Sequence, residues 1–456
     1  MHPVVVLNVV GLTPRLLEQG APNLNQVAET GFRATIDPVV PAVTCPVQAT
    51  YLTGLPVRDH GIVANGWYHR NTAEIRFWLQ SNHLMQGEKV WETARRRDPN
   101  YTCAKLFWWF NMYSTADWSV TPRPAYPADG RKIPDIYADP PDLRRDLVER
   151  LGAFPLFKFW GPGAGIESSR WIAAAAEHVI RSRRPTLTLV YLPHLDYDLQ
   201  RYGPEGPVAV RALEEVDRVA APLLSAAREA GAEIVVLSEY GLTPAVGHVS
   251  PNVELRQEGL LRVQENHVGE LLDAGASRAF AVCDHQVAHV YVKNHADLFL
   301  VRSVLEVLPG VGEVLDREAQ AGLGLDHARS GELVLLAQPG YWFSYPYWLD
   351  PEMAPDFARC VDIHRKPGYD PAELFLDPAR PRRMKVRIAM RLLQKQLGMR
   401  YLLDVISLDP AAVRGTHGLR SDRPEEGPVL LSSSPEGATD RIQATKIKDL
   451  IFQIHG

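Results

Sequence analysis

Short apolar runs alternate with amphipathic segments along the first half of the chain. Val4 to Val10, the stretch 186–196 and Ile234 to Leu237 have the apolar character of buried strands. Helical spacing of apolar residues marks 168–185 and 207–231, before and after the second of these runs. A strand–helix–strand order requires a mainly parallel sheet with helices on both faces. The predicted fold class is therefore α/β.

The composition is that of a globular protein. Of the 456 residues, 46% are apolar and 23% are charged, and the net charge of -5 argues against a general nucleic-acid binder. The four cysteines form no CxxC pair, so neither a disulfide framework nor a thiolate zinc site is expected. No run of apolar residues is long enough to predict a membrane span, and the first apolar run is too short for a signal peptide. We expect a cytoplasmic protein, and the oligomeric state stays open.

The pattern changes twice along the chain. The stretch "AFAVCDHQVAHVYV", from Ala279 to Val292, alternates as an antiparallel strand would, and helical and strand patterns accompany it. We therefore expect a core of residues 1–245 and 345–456 with an inserted α+β cap at 246–344. The proline-rich stretch 121–142 is predicted to be a surface excursion. The aromatic residues between 67 and 118 are predicted to form core rather than a ligand platform.

Thr44 stands where an extended segment turns into a helix. A hydroxyl at a helix N-terminus lies beside free N–H groups and the positive end of the dipole, which suits a nucleophile that attacks a phosphate. On the local sequence alone, an N-cap role for Thr44 is the more common alternative. Cys45 is a weaker nucleophile candidate, because no basic partner nearby in the sequence lowers its pKa.

Polar residues also follow the later apolar runs. Asp196 is predicted to lie just beyond the strand, in the polar loop that the stretch 186–196 enters, and Glu239 and Tyr240 come after another run. His417 lies in a Gly-Thr-His-Gly loop, where a close approach of the backbone suits a ligand. In parallel sheets, ligands bind beyond the carboxyl ends of the strands. The alternative for each of these residues is an ordinary turn or loop position.

Five segments together resemble a known family. They are, in order, "PNLNQVAETGFRAT", "VVPAVTCPVQATYLTGLPVRDHGIVANGWY", "YLPHLDYDLQRYGP", "VVLSEYGLTP" and "GTHG". Their order is similar to that of the alkaline phosphatase superfamily, and the nearest branch is the type I phosphodiesterase/nucleotide pyrophosphatase group. The resemblance spans residues 4–431. It implies an alkaline-phosphatase-like three-layer sandwich with a mostly parallel central sheet and the inserted α+β cap.

The resemblance also implies roles for individual residues. Members of the family hold two divalent cations, usually zinc, and a Thr or Ser attacks phosphorus to form a covalent phospho-enzyme. Thr44 takes the position of the nucleophile. Glu239 takes the place of an Asp ligand of the first metal, while Asp196 and His417 take those of ligands of the second metal.

Several ligand positions depart from the family pattern. The sequence has Val10-Gly11 for Asp-Gly, Val47-Gln48 for Asn-His, Gln200 for His, and Glu239-Tyr240 for Asp-His. Zinc prefers four ligands that include nitrogen, so a tightly bound zinc pair is not expected. One Mg²⁺ or Mn²⁺ held by oxygen atoms remains compatible with the sequence.

Other residues are candidates to complete the site. His364 is the reserve metal ligand, and Arg365 and Lys366 beside it suit a phosphate oxygen. His285 and His289, in the alternating stretch, are predicted to be buried rather than ligating. The residues assigned to substrate binding are Asn8, Gln48, Asn65, Gln200 and Tyr240. Asn8 is expected to offer its amide oxygen in place of the missing Asp.

The predicted function is a phosphodiester or pyrophosphate-type hydrolase. It would act on a small phosphorylated substrate and not on a nucleic-acid polymer, with Thr44 as nucleophile and an altered divalent metal site (zinc, manganese or magnesium). One alternative is an inactive pseudoenzyme that binds a phosphorylated small molecule. The least favoured alternative is a transferase that passes the phosphoryl group to an acceptor other than water.

Overall fold

A mixed nine-stranded sheet forms the centre of the molecule in the computed structural model, which describes residues 1–376, 381–399 and 404–456. All strands run in one direction except Val429–Ser432 and Ile136–Asp139. The mostly parallel sheet of an α/β fold is thereby confirmed. From edge to edge the strands are Arg441–Gln443, Phe32–Asp37, Val429–Ser432, Glu233–Leu237, Val4–Val9, Leu187–Leu192, Cys103–Leu106, Trp118–Pro122 and Ile136–Asp139.

Helices cover the sheet. Every residue of Val4–Val9 and of Leu187–Leu192 is buried, as expected for central parallel strands covered on both faces. Ile166–Arg183 packs against Pro207–Glu229, and Thr44–Thr53 packs against Ile447–His455. The other helices of seven or more residues are Val90–Arg97, Pro141–Leu151, His194–Tyr202, Pro251–Gln257, Leu298–Leu305, Arg317–Leu323 and Pro381–Gln396.

The register of the central strands decides where the site is. Asn8 lies level with Tyr191 on one side and with Leu237 on the other. The three central strands therefore end at the same height, and the residues that follow them meet at one edge of the sheet. This edge is the place where parallel α/β sheets bind ligands.

A second, antiparallel sheet lies in the predicted cap region. Its order is Ala279–Asp284, Val287–Val292, Leu333–Ala337 and Val311–Leu315. The stretch predicted as one alternating strand is instead a hairpin, which turns at His285 and Gln286, and both of its strands are buried throughout. Both faces of the hairpin are buried, because Val287 packs into the central core while its neighbour Ala288 packs into the core of this sheet. The domain boundaries themselves stay a prediction.

The ends of the proline-rich stretch 121–142 are part of the central sheet. Trp118–Pro122 and Ile136–Asp139 pair in antiparallel fashion at its edge, and the helix Pro141–Leu151 begins immediately afterwards. Large aromatic side chains between 67 and 118 are buried, among them Trp91 and Trp108, which confirms their prediction as core.

The remaining predictions about the chain concern cysteines and membrane spans. All four cysteines are buried and free. Among the described residues, no helix combines the length and the apolar character needed to cross a bilayer.

Candidate active site

Eight of the residues singled out in the sequence come together at the carboxyl edge of the central sheet. We call them the crevice cluster: Asn8, Thr44, Gln48, Asp196, Gln200, Glu239, Tyr240 and His417. All eight side chains are buried. The convergence of segments far apart in the sequence makes this edge the candidate active site.

Glu239 is at the centre of the cluster, two residues beyond the strand Glu233–Leu237. The loop is held at Ser238, whose carbonyl oxygen accepts a hydrogen bond from the Tyr51 hydroxyl at 2.7 Å. The Glu239 Oε1 atom accepts hydrogen bonds from Asn8 Nδ2 and from Gln48 Nε2, each at 2.6 Å. Asn8 therefore presents its amide NH2 group to Glu239, and its Oδ1 atom, the oxygen predicted to replace the missing Asp, stays without a hydrogen-bond donor among the described residues.

Gln48 is oriented by the backbone of an aromatic loop. Its Oε1 atom accepts a hydrogen bond from the Trp109 backbone N–H at 2.8 Å, which leaves the amino group to face Glu239. Burial raises the pKa of Glu239 to about 8, although the hydrogen bonds from Gln48 and Asn8 act in the opposite direction. The buried Glu239 carboxyl group therefore holds a proton more tightly than an exposed glutamate does.

Thr44 is the first residue of the helix Thr44–Thr53, and Val43 is the N-cap. The N-cap alternative for Thr44 is therefore wrong. The Thr44 hydroxyl lies 3.3 Å from the Tyr240 hydroxyl, and its interaction with Glu239 favours the charged form of that carboxyl group. It thus points at the acidic centre of the cluster.

Asn65 lies behind the start of this helix and connects it to the second sheet. Its Oδ1 atom accepts a hydrogen bond from the Cys45 N–H at 3.0 Å, and its Nδ2 atom donates to Asp284 Oδ1 at 3.1 Å. Burial raises the pKa of the Cys45 thiol well above its usual value, which disfavours the thiolate that a cysteine nucleophile needs.

Asp196 lies in the first turn of the helix His194–Tyr202, and not in the polar loop that the sequence suggested. Helical spacing brings Gln200 next to it, and Gln200 Nε2 donates to Asp196 Oδ2 at 2.6 Å. Burial raises the pKa of Asp196 to about 7. The Tyr369 hydroxyl donates to Gln200 Oε1 at 3.3 Å and so adds a residue that the sequence analysis missed.

His417 enters the cluster because Thr243–Pro244 pairs with Gly415–Thr416, immediately before it. Its Nδ1–H donates to the Ala42 carbonyl oxygen at 2.9 Å, which leaves Nε2 as the acceptor of the neutral ring. The ring stacks on Tyr240 with a centroid separation of 3.5 Å. Burial lowers the pKa of His417 to about 3, so the ring stays neutral.

His285 is a second residue that the analysis did not place in the crevice. It lies at the hairpin turn of the second sheet with a φ of 55°, in the left-handed region that residues other than glycine rarely adopt. Its ring centroid is 3.7 Å from that of His417 and 4.2 Å from that of Tyr369. The predicted burial of His285 is confirmed. The ring enters the crevice because the chain turns at His285, and the sequence pattern did not predict this turn.

The structure does not bring His364 to the crevice cluster. His364 bonds to the Phe77 carbonyl oxygen at 3.3 Å, and its charged neighbours include Asp362 and Lys132. Lys366, considered for phosphate binding, is committed to Asp370 and Glu373. Among the described residues, no contact therefore connects His364 or Lys366 with the crevice cluster.

The crevice does not fit a pair of zinc ions. Within residues 1–376, 381–399 and 404–456, no three His, Cys, Asp or Glu side chains are grouped to hold a metal. Three buried oxygen atoms, however, have no hydrogen-bond donor among those residues: Asn8 Oδ1, Asp196 Oδ1 and Glu239 Oε2. Oxygen atoms of this kind fit a single hard cation such as Mg²⁺ or Mn²⁺.

Comparison with solved structures supports the fold. The chain aligns over 99% of its length with murine ectonucleotide pyrophosphatase/phosphodiesterase 5, covering 95% of that chain at 15% identity with a TM-score of 0.61. It aligns equally far with phosphonoacetate hydrolase from Sinorhizobium meliloti 1021, covering 96% of that chain at 16% identity with a TM-score of 0.62. At these identities the likeness concerns the fold, and it confirms the alkaline-phosphatase-like sandwich.

Sequence comparison gives the family. An uncharacterized pyrophosphatase/phosphodiesterase of Schizosaccharomyces pombe is 25% identical over 253 residues, which are 53% of this chain and 45% of the yeast protein. The chain thus spans less than half the length of that relative. The family model for type I phosphodiesterase/nucleotide pyrophosphatase matches residues 4–370. The chain therefore belongs to the type I phosphodiesterase/nucleotide pyrophosphatase family of the alkaline phosphatase superfamily.

Proposed function

We propose that the protein is a hydrolase of phosphodiester or pyrophosphate bonds, with Thr44 as its nucleophile. The observation that carries the proposal is the position of the Thr44 hydroxyl. It lies at the start of a ten-residue helix, 3.3 Å from the Tyr240 hydroxyl, and it interacts with the buried Glu239 carboxyl group. Buried dipoles and a neighbouring carboxyl group are the means by which proteins activate a hydroxyl nucleophile.

In the proposed reaction, the Thr44 oxygen attacks phosphorus. The new P–O bond forms as the bond to the leaving alcohol or phosphate breaks, and ionised Glu239 accepts the hydroxyl proton. Water then attacks the phospho-threonine, and the proton held by Glu239 returns to the Thr44 oxygen as its bond to phosphorus breaks. The proton that water loses neutralises the released leaving group, so the phosphate product leaves and the Thr44 hydroxyl and ionised Glu239 are restored. Asn8 and Gln48 keep the Glu239 carboxyl group in place throughout, and Tyr240 donates a hydrogen bond on the side of the nucleophile.

A single divalent cation fits this proposal better than a zinc pair. Asn8 and Glu239, with their undonated oxygen atoms, would hold it together with Thr44. When bound, Mg²⁺ or Mn²⁺ would supply Lewis-acid stabilisation of the phosphoryl oxygens. The positive charge of the cation matters because the crevice cluster contains no Lys or Arg that could stabilise the phosphoryl oxygens.

We propose a small phosphorylated molecule as the substrate. The murine protein of similar fold has been solved as an inactive variant in complex with AMP, which supports a ligand of this class. The four free, buried cysteines support a cytoplasmic location, where thiols stay reduced.

The test is a matched pair of substitutions at Thr44. Thr44→Val keeps the shape of the side chain and removes the hydroxyl, whereas Thr44→Ser keeps the hydroxyl. With a p-nitrophenyl phosphodiester and Mg²⁺ or Mn²⁺, we expect Thr44→Val to lose at least about a hundredfold in kcat and Thr44→Ser to retain measurable turnover. Mass spectrometry of rapidly quenched wild-type protein should find on Thr44 a phosphoryl group that keeps the second ester substituent of the substrate. Equal activity of the two variants would exclude Thr44 as the nucleophile.

One observation favours a different function, that of an inactive protein that binds a phosphorylated small molecule. The ring of His285 packs between His417 and Tyr369, and the side chains of the crevice cluster are all buried. If this second function is correct, wild-type protein shows no turnover with any of the metals and contains none on elemental analysis. It would still bind a nucleoside monophosphate in calorimetry.

A further inference from the structure

The helix Pro381–Gln396 carries an apolar stripe that faces solvent. Its members are Val386, Met390 and Leu393, with Leu397 directly after the helix, and they are exposed by 61%, 56%, 55% and 66%. Their spacing of four, three and four residues places them on one side of a helix. We call this set of four residues the apolar stripe.

The opposite side of the same helix holds it to the protein. Ile388 packs beside Val361 against the buried residues Val405 and Ile406. At about 100° per residue, Ile388 points nearly away from the centre of the apolar stripe. The stripe is therefore not a core face, since the helix already has a different side against the body of the protein.

The charge of this helix limits what can cover the stripe. Its sequence, PRRMKVRIAMRLLQKQ, contains six Lys or Arg residues and no acidic residue, whereas the whole chain has a net charge of -5. Arg391 and Arg387 both pair with Asp404, at 3.0 Å and 3.6 Å, and this one carboxylate offsets one of the six positive charges. A second copy of the helix would bring like charges together across the stripe. A nucleic acid would use the charges but leave the four apolar side chains in water.

We propose that the apolar stripe of this helix docks on an anionic lipid surface. Val386, Met390, Leu393 and Leu397 would enter the boundary between headgroups and acyl chains, and the excess positive charge of the helix sequence would attract the anionic headgroups. A basic helix with one apolar side binds membranes in this way, lying in the plane of the interface. The anionic cytoplasmic leaflet of a membrane has the matching charge. This surface is separate from the crevice cluster, and the inference does not depend on the proposed activity.

Vesicle co-sedimentation of the full chain tests the proposal. We expect the wild-type protein to bind vesicles of phosphatidylcholine and phosphatidylglycerol, and to bind vesicles of phosphatidylcholine alone much less. Raising the salt concentration should weaken binding, because screening reduces attraction to the headgroups. The double variant M390Q/L393Q should lower the partition coefficient by about tenfold or more.

The matched control is Phe299→Gln, which removes an apolar side chain that is 84% exposed on the separate helix Leu298–Leu305. Phe299→Gln should bind vesicles as the wild type does. The proposal is overturned if the wild-type chain fails to bind anionic vesicles, or if M390Q/L393Q binds them as well as Phe299→Gln does. It is also overturned if light scattering shows a wild-type dimer that M390Q/L393Q converts to a monomer.

Discussion

At the scale of single residues, Glu239 has the most unusual environment. It is fully buried and receives two amide donors on one oxygen, and the other oxygen has no donor among the described residues. Burial favours the neutral form more strongly than the two amides favour the charged form, so the net effect is a raised pKa. The native protein therefore holds a proton here that an unfolded chain would release.

This proton makes stability depend on pH. The pKa of Glu239 is about 8 in the native protein against a usual value of 4.5, so the native state binds the extra proton between those values. The free energy of unfolding should therefore fall as the pH rises through this window, by at most about 1.4 kcal/mol per pH unit for one proton. Glu239→Gln cannot ionise and should reduce this slope. Urea unfolding from about pH 5 to about pH 8 measures the effect.

Asp196 contributes in the same direction, because burial raises its pKa to about 7. Glu239→Gln should therefore flatten the slope without abolishing it. Glu258→Gln, at an exposed position, serves as the control and should keep the wild-type slope. An unchanged slope in Glu239→Gln would contradict the buried proton.

At the scale of elements, the segment 361–375 is held by a buried ionic group. Lys366 is 1% exposed, and its Nζ atom lies 2.6 Å from Asp370 Oδ2 and 2.7 Å from Glu373 Oε1. Trp160 donates from Nε1 to Glu373 Oε2 at 2.5 Å, which ties the segment to the end of the helix Leu156–Phe159. Tyr369, which reaches the crevice cluster, lies inside this segment.

Removing the cation should destabilise the segment strongly. Lys366→Met leaves the carboxyl group of Glu373 buried without its positive partner, at an expected cost of about 3–5 kcal/mol. The neighbouring substitution Arg365→Met removes a half-exposed cation and should change stability by no more than about 0.5 kcal/mol. Urea unfolding of both variants gives the comparison, and similar losses in the two would refute the buried ionic group as the cause.

At the scale of the whole molecule, the crevice cluster joins parts of the chain that are far apart. Asn8 and Glu239 are 231 residues apart, and His417 bonds to Ala42 across 375 residues. A ligand that binds the cluster therefore binds the folded chain and not the unfolded one. Such binding raises the stability of the whole molecule by mass action.

Divalent cations provide a direct test of this coupling. If one hard cation binds Asn8 and Glu239, Mg²⁺ or Mn²⁺ at one hundred times its Kd should stabilise the protein by about 2.7 kcal/mol. The increase in Tm should be larger at pH 8 than at pH 6, because the cation needs the ionised form of Glu239. Glu239→Gln should show a smaller shift. Thermal melts that are unaffected by both cations at both pH values would exclude this site.

The sequence alone determined the fold class and the positions of the candidate site. The apolar runs and the helical spacing between them are local patterns, and they require a parallel sheet with ligand-binding loops at its carboxyl edge. Thr44, Asp196, Glu239 and His417 could therefore be selected before their contacts were known. The five segments that resemble the family are likewise recognised from the local order of their residues, without knowledge of their contacts.

Only the tertiary structure decided how the selected side chains face one another. The amide NH2 group of Asn8 points at Glu239 because Gln48 and the buried loop around Ser238 fix that carboxyl group. Asn8, Gln48 and Glu239 lie far apart in the sequence. His285 enters the crevice because the chain turns there between two strands that are buried throughout, where the sequence pattern predicted one continuous strand. Orientation and burial arise from contacts between distant segments, and for this reason the pKa of Glu239 and the fit to a cation could not be predicted from the sequence.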